Sequence, residues 1–292
     1  MIRDIWTPAV CWSEYDPLKR VVLCPPHHLR IDQVINQVQA RFREEGIDTR
    51  RAEEQHHALV ETLHRFGVDV ILLNPDPSYP DQVFTRDIGF TLGPRLFVSK
   101  MGEEIRQGEE RALTEWLIRS HIPYHLIRSG SIEGGDVMID QGTVWVGDSG
   151  RTSRQAMEEL RRELPDMEVI SLPFPAKYLH LDCVLNILSP EEALIFPPAF
   201  RKEDLERLAA RYDLIQVDEE EQFTLGANIL SLGNRTLLSL PVNPRVNKAM
   251  RRRGLTVIEV DLSEIIKSGG SFRCCTLPLV REAARVKRIP LI

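Results

Sequence analysis

One pattern narrows the possible folds more than any other: strand-like apolar runs and helix-like periodic runs alternate in an order that recurs. Lys19–Cys24 (KRVVLC) reads as a strand ended by Pro25-Pro26, and residues 47–66 as a helix with Ala58, Leu59, Leu63 and Phe66 on one face. Val68–Leu73 is then a second strand, stopped by Asn74-Pro75. The next unit opens with strand-like Gln82–Thr85 and Ile88–Phe90, turns at Gly93-Pro94 into Arg95–Ser99, and runs through a helix over 107–120 to Pro123–Ile127. Three more units keep the order, with helices predicted over 152–163, 202–211 and 244–253, each after a pair of strands and before a third. Repeats of roughly 45 to 55 residues share a core with their neighbours and usually close on themselves. The predicted fold is α/β: a five-bladed ββαβ propeller with a central channel that suits a ligand.

A length of 292 residues taken alone suggests about two domains. The repeats instead predict a single propeller domain over 1–292. With 37 basic and 43 acidic residues the net charge is −6, which argues against a nucleic-acid binder, since phosphate contacts need clustered Lys and Arg. The densest basic run, Arg251–Arg253, is predicted to end a helix. Apolar stretches fall far short of the ~20 residues that cross a bilayer, and Met1–Pro8 has no apolar leader segment. Neither nucleic acid nor membrane is therefore an expected partner. Five cysteines (Cys11, Cys24, Cys183, Cys274, Cys275) form an odd set without a CxxC pair. They predict neither a disulfide framework nor a zinc site, and fit a reducing cytoplasm in which any special cysteine is a thiol with a chemical task.

The segment Ser268-Gly-Gly-Ser-Phe-Arg-Cys-Cys-Thr-Leu-Pro278 is the most informative. Paired glycines before a thiol let the backbone approach a ligand closely. In an extended segment neighbouring side chains face opposite ways, so one of Cys274 and Cys275 at most meets a given pocket. Thiol catalysis needs an acid–base partner and usually a carboxylate to orient it. His27, His28, His56, His57 and His64 sit in polar loop or helix positions that read as solvated. His180 lies instead at the start of an apolar strand, with Asp182 two residues on and, in an extended chain, on the same side. Asp81 and Asp87 flank apolar residues, and Glu133 and Asp136 bracket a Gly pair ahead of a strand. Carboxylates in such places are costly to bury unless they meet a cation. Recurring at matching places in separate repeats, they would converge on the channel mouth.

Four pieces in this order, Phe84-Thr-Arg-Asp87, Ile132-Glu-Gly-Gly-Asp136, His180-Leu-Asp182 and Gly269-Gly-Ser-Phe-Arg-Cys274, span most of the chain. In them the chain resembles the guanidino-group-modifying enzymes of the pentein superfamily: arginine deiminases, dimethylarginine dimethylaminohydrolases and amidinotransferases. The resemblance implies Cys274 as nucleophile, His180 as general acid and base, and Glu133 as the carboxylate that orients the site. It implies Asp87 as the guanidinium clamp, Asp182 and Asp81 as further substrate carboxylates, and Arg106 and Arg151 as binders of the substrate's α-carboxylate. It also implies no metal or organic cofactor, an early loop over the channel (Pro25–His28 is the candidate lid) and a small guanidino substrate. It leaves open whether the chain forms a homo-oligomer.

Asp182 suits substrates with free N–H groups on both guanidinium edges, whereas the short chain and Asp81 look like the dimethylarginine branch. The expected reaction is hydrolysis of arginine or a close relative, with amidino transfer to an amine as the alternative. A non-catalytic propeller that binds a partner would have lost the Cys, His and acidic set, and all of these are present. A cysteine hydrolase of another substrate class would not need the extra carboxylates or Arg151.

Overall fold

The computed structural model describes residues 9–282; the Met1–Pro8 stretch read above for a leader lies outside them. Five three-stranded sheets follow one rule: a first strand antiparallel to the middle one, and a third parallel to it. In the first blade, β1 (Leu18–Leu23) crosses over through α1 (Gln37–Phe42) and α2 (Thr49–Arg65) to the parallel strand β2 (Asp69–Leu72). The second blade is β3 (Gly89–Leu92), β4 (Arg95–Val98) and β5 (His125–Leu126), with α3 (Glu110–Arg119) in the crossover. The third is β6 (Val137–Asp140), β7 (Thr143–Asp148) and β8 (Glu168–Pro173), with α4 (Arg154–Glu163). The fourth is β9 (Leu185–Ile187), β10 (Glu192–Ile195) and β11 (Asp213–Gln216), with α5 (Lys202–Ala209). A short helix α6 (Glu219–Phe223) leads to the fifth blade, β12 (Leu230–Gly233), β13 (Thr236–Ser239) and β14 (Thr256–Glu259), with α7 (Pro244–Arg252).

The first blade takes its antiparallel strand from the far end of the chain. β15 (Leu277–Arg281) pairs with β1, Val21 opposite Pro278 and Val22 opposite Leu277. The core confirms that the ring is closed. Apolar clusters lie between blades one and two (Val22, Ile88, Leu113, Leu277), two and three (Phe90, Phe97, Val144, Leu160), and three and four (Trp145, Leu185, Leu208). Two more join blades four and five (Leu194, Leu237, Met250) and five and one (Leu23, Leu59, Leu238, Leu240). No blade can bury its apolar faces alone, so the five sheets stabilise one another.

Three local expectations change. Residues 82–85 form no strand: Phe84 N–H donates to Asp81 O and Asp87 N–H to Phe84 O, so successive turns take up the backbone. The buried face of α2 is Ala52, Gln55, His56, Leu59, Thr62 and Leu63, while Ala58 and Phe66 point outward. His56 is therefore a core residue, and burial pushes its pKa down to about 4. Arg251 sits in the last turn of α7 and bonds Glu259 at 2.7 Å. Among the described residues no helix is long and apolar enough to cross a membrane, and all five cysteines are free.

Candidate active site

The loop leading into the first strand of every blade delivers a polar side chain to one place. Asp87 precedes β3, Glu133 precedes β6, His180 and Asp182 precede β9, Asn228 precedes β12 and Cys274 precedes β15. One pocket is lined by Asp81, Phe84, Asp87, Arg106, Arg151, Leu179, His180, Gly270 and Cys274, among others.

His180 Nε2 and Glu133 Oε2 share a hydrogen bond of 2.6 Å, and Gly102 N–H donates to the other Glu133 oxygen at 2.9 Å. Burial opposes charge on the imidazole, yet Asp87, Glu133 and Asp136 outweigh it and push His180 up to about 10. Burial likewise works against the Glu133 carboxylate, but His180, Arg106 and Arg151 hold it down at about 2. The second His180 nitrogen, Nδ1, lies 3.6 Å from Asp87 Oδ1, and both atoms are buried without a hydrogen-bond partner among the described residues. Gly135 makes this packing possible: a Cβ there would sit 2.7 Å from the His180 ring and 2.9 Å from Asp87 Oδ1. Asp87, Glu133 and His180 also place ligand atoms within 4.8 Å of one another, near enough to hold a metal ion. Two of those atoms already bond each other at 2.6 Å.

His180 and Asp182 do not reach the site by strand alternation. Leu181–Cys183 is a 3-10 turn, held where Asp136 accepts the Leu181 N–H at 2.9 Å. The turn sends His180 toward Glu133 and Asp182 toward Arg273 (2.9 Å) and Cys274 Sγ (3.6 Å). The two adjacent cysteines also separate by a turn, since Cys275 N–H donates back to Ser271 O at 2.9 Å. Cys274 lines the cavity and Cys275 is fully buried in the core between blades five and one. A hydrogen bond with the Cys183 thiol, burial and the Asp182 charge together push the Cys274 thiol well above its ordinary value.

The other predicted residues are here with partners of their own. Asp81 accepts from Ser268 Oγ (2.5 Å) and Gln39 Nε2 (3.3 Å), and burial raises its pKa. Arg106 grips both oxygens of Glu109 and donates to Asp87 Oδ2 at 2.8 Å. Arg151 reaches Glu103 (3.1 Å), Glu133 (3.5 Å) and the Ile35 carbonyl (3.0 Å). The candidate lid lies elsewhere: His27 bonds Glu53 of α2 at 2.8 Å, and Ile35 and Asn36 are the early residues that line the cavity. Asn36 donates to the Ser268 carbonyl and packs on Gly269, whose φ of +99° suits glycine.

Asn228 was not singled out from sequence. Its signal was available in the repeat, because four blades had named residues at this position and the fifth had none.

Residues 25–281 match the family described as N,N dimethylarginine dimethylhydrolase, eukaryotic. The chain belongs to that family. It is a guanidino-modifying enzyme of the pentein superfamily, with the five-bladed fold of that group. It is 49% identical over 273 residues to the uncharacterized protein YkgA of Bacillus subtilis, covering 94% of this chain and 96% of that one. It is 31% identical over 268 residues to the N(G),N(G)-dimethylarginine dimethylaminohydrolase of Mycobacterium tuberculosis, covering 89% and 86%. Among solved structures, the N-terminal domain of cyanobacterial ArgZ, an arginine dihydrolase, superposes with a TM-score of 0.82 at 26% identity, covering 90% of this chain and 98% of that domain. That crystal holds a cysteine-to-serine mutant bound to substrate, and another of the same domain carries a covalently bound reaction intermediate.

Proposed function

We propose that the protein, as one catalytic propeller, is a cysteine-dependent hydrolase that cleaves a C–N bond in the guanidino group of arginine or an arginine derivative. The observation that carries this is the pair of buried, unpartnered atoms Asp87 Oδ1 and His180 Nδ1 in the cavity that also holds Cys274. Buried polar atoms want partners. A guanidinium is planar, charged and made of N–H donors, and so satisfies a carboxylate oxygen that no described residue hydrogen-bonds.

Asp87, set by Arg106, clamps one edge of the guanidinium. Asp182, set by Arg273, faces the sulfur side, where it lies 3.6 Å from Cys274. Arg151, on the wall shared with Ile35, receives the substrate's carboxylate. The carboxylates that raise the Cys274 thiol are neutralised by the bound cation, so the substrate itself promotes the thiolate. Sulfur attacks the central carbon, and the C–N bond then breaks as His180 gives its Nδ1 proton to the departing amine while Nε2 stays on Glu133. The covalent thiouronium on Cys274 is attacked by water that His180 deprotonates, and the C–S bond breaks to return the thiolate. The substrate-bound cysteine variant and the covalent intermediate of the cyanobacterial dihydrolase support this order.

The test is mass spectrometry after incubation with arginine, mono- and dimethylarginines and guanidino acids. A thiouronium adduct on Cys274 with release of ammonia, methylamine or dimethylamine is expected, and the amine identifies the substrate. A new guanidino compound, formed only with an added amine, would make the protein an amidinotransferase. No adduct and no product from any of them would overturn the reading.

A further inference from the structure

The roles above leave Asn228, which contacts the reacting sulfur, unused. Asn228 Nδ2 lies 3.1 Å from Cys274 Sγ, while the nearest Asp182 oxygens, at 3.6 and 3.8 Å, can only accept. The orientation of the amide is settled by its other end, since Asn228 Oδ1 accepts the backbone N–H of both Arg273 (3.1 Å) and Cys274 (3.2 Å). The second Nδ2 hydrogen goes to the Asp182 carbonyl at 3.3 Å. Asn228 is fully buried, and all of its hydrogen-bonding capacity is spent on the nucleophile loop and the turn that carries Asp182.

We propose that Asn228 is a catalytic residue that donates a hydrogen bond to the Cys274 thiolate while its carbonyl pins the loop that presents the sulfur. The inference rests on Cys274 being the nucleophile. Asp182, Cys183 and Asp87 face Cys274 and disfavour a negative sulfur; His180, Arg106 and Arg151 are the cations of the same cavity. The Asn228 amide supplies a neutral N–H donor 3.1 Å from the sulfur, beside the weaker Cys183 thiol. It favours the sulfur anion before attack, and again when the C–S bond breaks and the electron pair returns to sulfur.

Two variants divide the roles. Asn228→Asp keeps the carbonyl-type acceptor for both backbone N–H groups but loses the donor; Asn228→Ser, whose shorter hydroxyl ends short of the amide position, removes the amide donor from the sulfur without adding charge. The first readout is the pH dependence of iodoacetamide labelling at Cys274, followed on its own peptide so that the other cysteines do not interfere. Both variants are expected to move the midpoint up by about one unit or more, because a hydrogen bond to a charged group is lost. With substrate, kcat is expected to fall ~10- to 100-fold and KM to change less than about threefold. A folded variant that labels with the native profile, or keeps native kcat, overturns the assignment. Should Asn228→Ser not fold, Asn228→Ala, which likewise removes the donor without adding charge, decides in its place. If the native protein turns over no guanidino compound, the functional reading fails while the labelling profile still judges Asn228.

Discussion

Replacing Glu133 with glutamine removes one charge from the most deeply buried ion pair of the site and changes little else in shape. His180 and Glu133 are at most 1% exposed, and their 2.6 Å bond belongs to a cluster that raises His180 from an ordinary 6.5 to about 10. By linkage, a shift of that size is worth about 4 kcal/mol of stability at pH 7. The sign follows from the direction: a raised histidine contributes fully below its unfolded value and loses that contribution as pH climbs through the folded one. Glu133 acts on His180 through both its hydrogen bond and its charge, beside the larger effect of Asp87, so part of this is lost with its charge. Glutamine must also turn its N–H₂ toward either the Gly102 N–H or His180, leaving a buried donor unmet at a further ~1–3 kcal/mol. Urea unfolding of Glu133→Gln should therefore show a loss of about 3 to 5 kcal/mol at pH 7. The histidine-linked share should shrink to under about 0.5 kcal/mol near pH 10, where native His180 itself deprotonates. A stability difference that is the same at pH 7 and pH 10, or a variant as stable as the native protein, would refute the coupling.

Cys274→Ser should abolish turnover while Cys275→Ser, altering a core position, keeps most of it at a stability loss of about 1–3 kcal/mol; steady-state kinetics and thermal melts on both variants check this, and reversed effects would undo the assignment. Asp87→Ala should raise KM for arginine-type substrates by ~10-fold or more and leave Arg106 short of one partner; unchanged kinetics across the substrate panel would remove Asp87 from the site. Arg273→Met should cost about 3–5 kcal/mol, because it strands Asp182 without its 2.9 Å partner. The double change Arg273→Met with Asp182→Leu should recover part of that stability in a denaturant titration, but no activity.

Much of the site was legible because its residues sit beside recognisable punctuation. Glycine pairs ahead of Asp136 and Cys274, and a histidine on the border of an apolar run, are local signals that need no partner to be seen. The failures share a cause. Gln82–Thr85 alternates like a strand, yet Thr85 Oγ1 lies within hydrogen-bond reach of both Val22 O (2.9 Å) and Cys275 O (3.0 Å), so contacts distant in sequence override the pattern. His56 lies in a polar stretch, and the rotation of α2 against the neighbouring blade, not its composition, buries it. Arg106 lines the pocket, and nothing in the sequence signals that three of its N–H groups also bond Glu109 and Asp87.

The sequence by itself determined the blade as a unit and the number of blades, because strand and helix periodicities are properties of a few neighbouring residues. It also supplied the candidates Cys274, His180, Asp87 and Glu133 on which the proposed function rests. Only the tertiary structure decided how the ring closes: the first blade lacks an antiparallel strand until β15 arrives from more than 250 residues away to pair with β1. That closure brings Cys274 to the position that Asp87, Glu133, His180 and Asn228 hold in the other blades. Which side chain meets which there was decided by hydrogen bonds between loops of different blades, and a one-dimensional pattern cannot encode those directions.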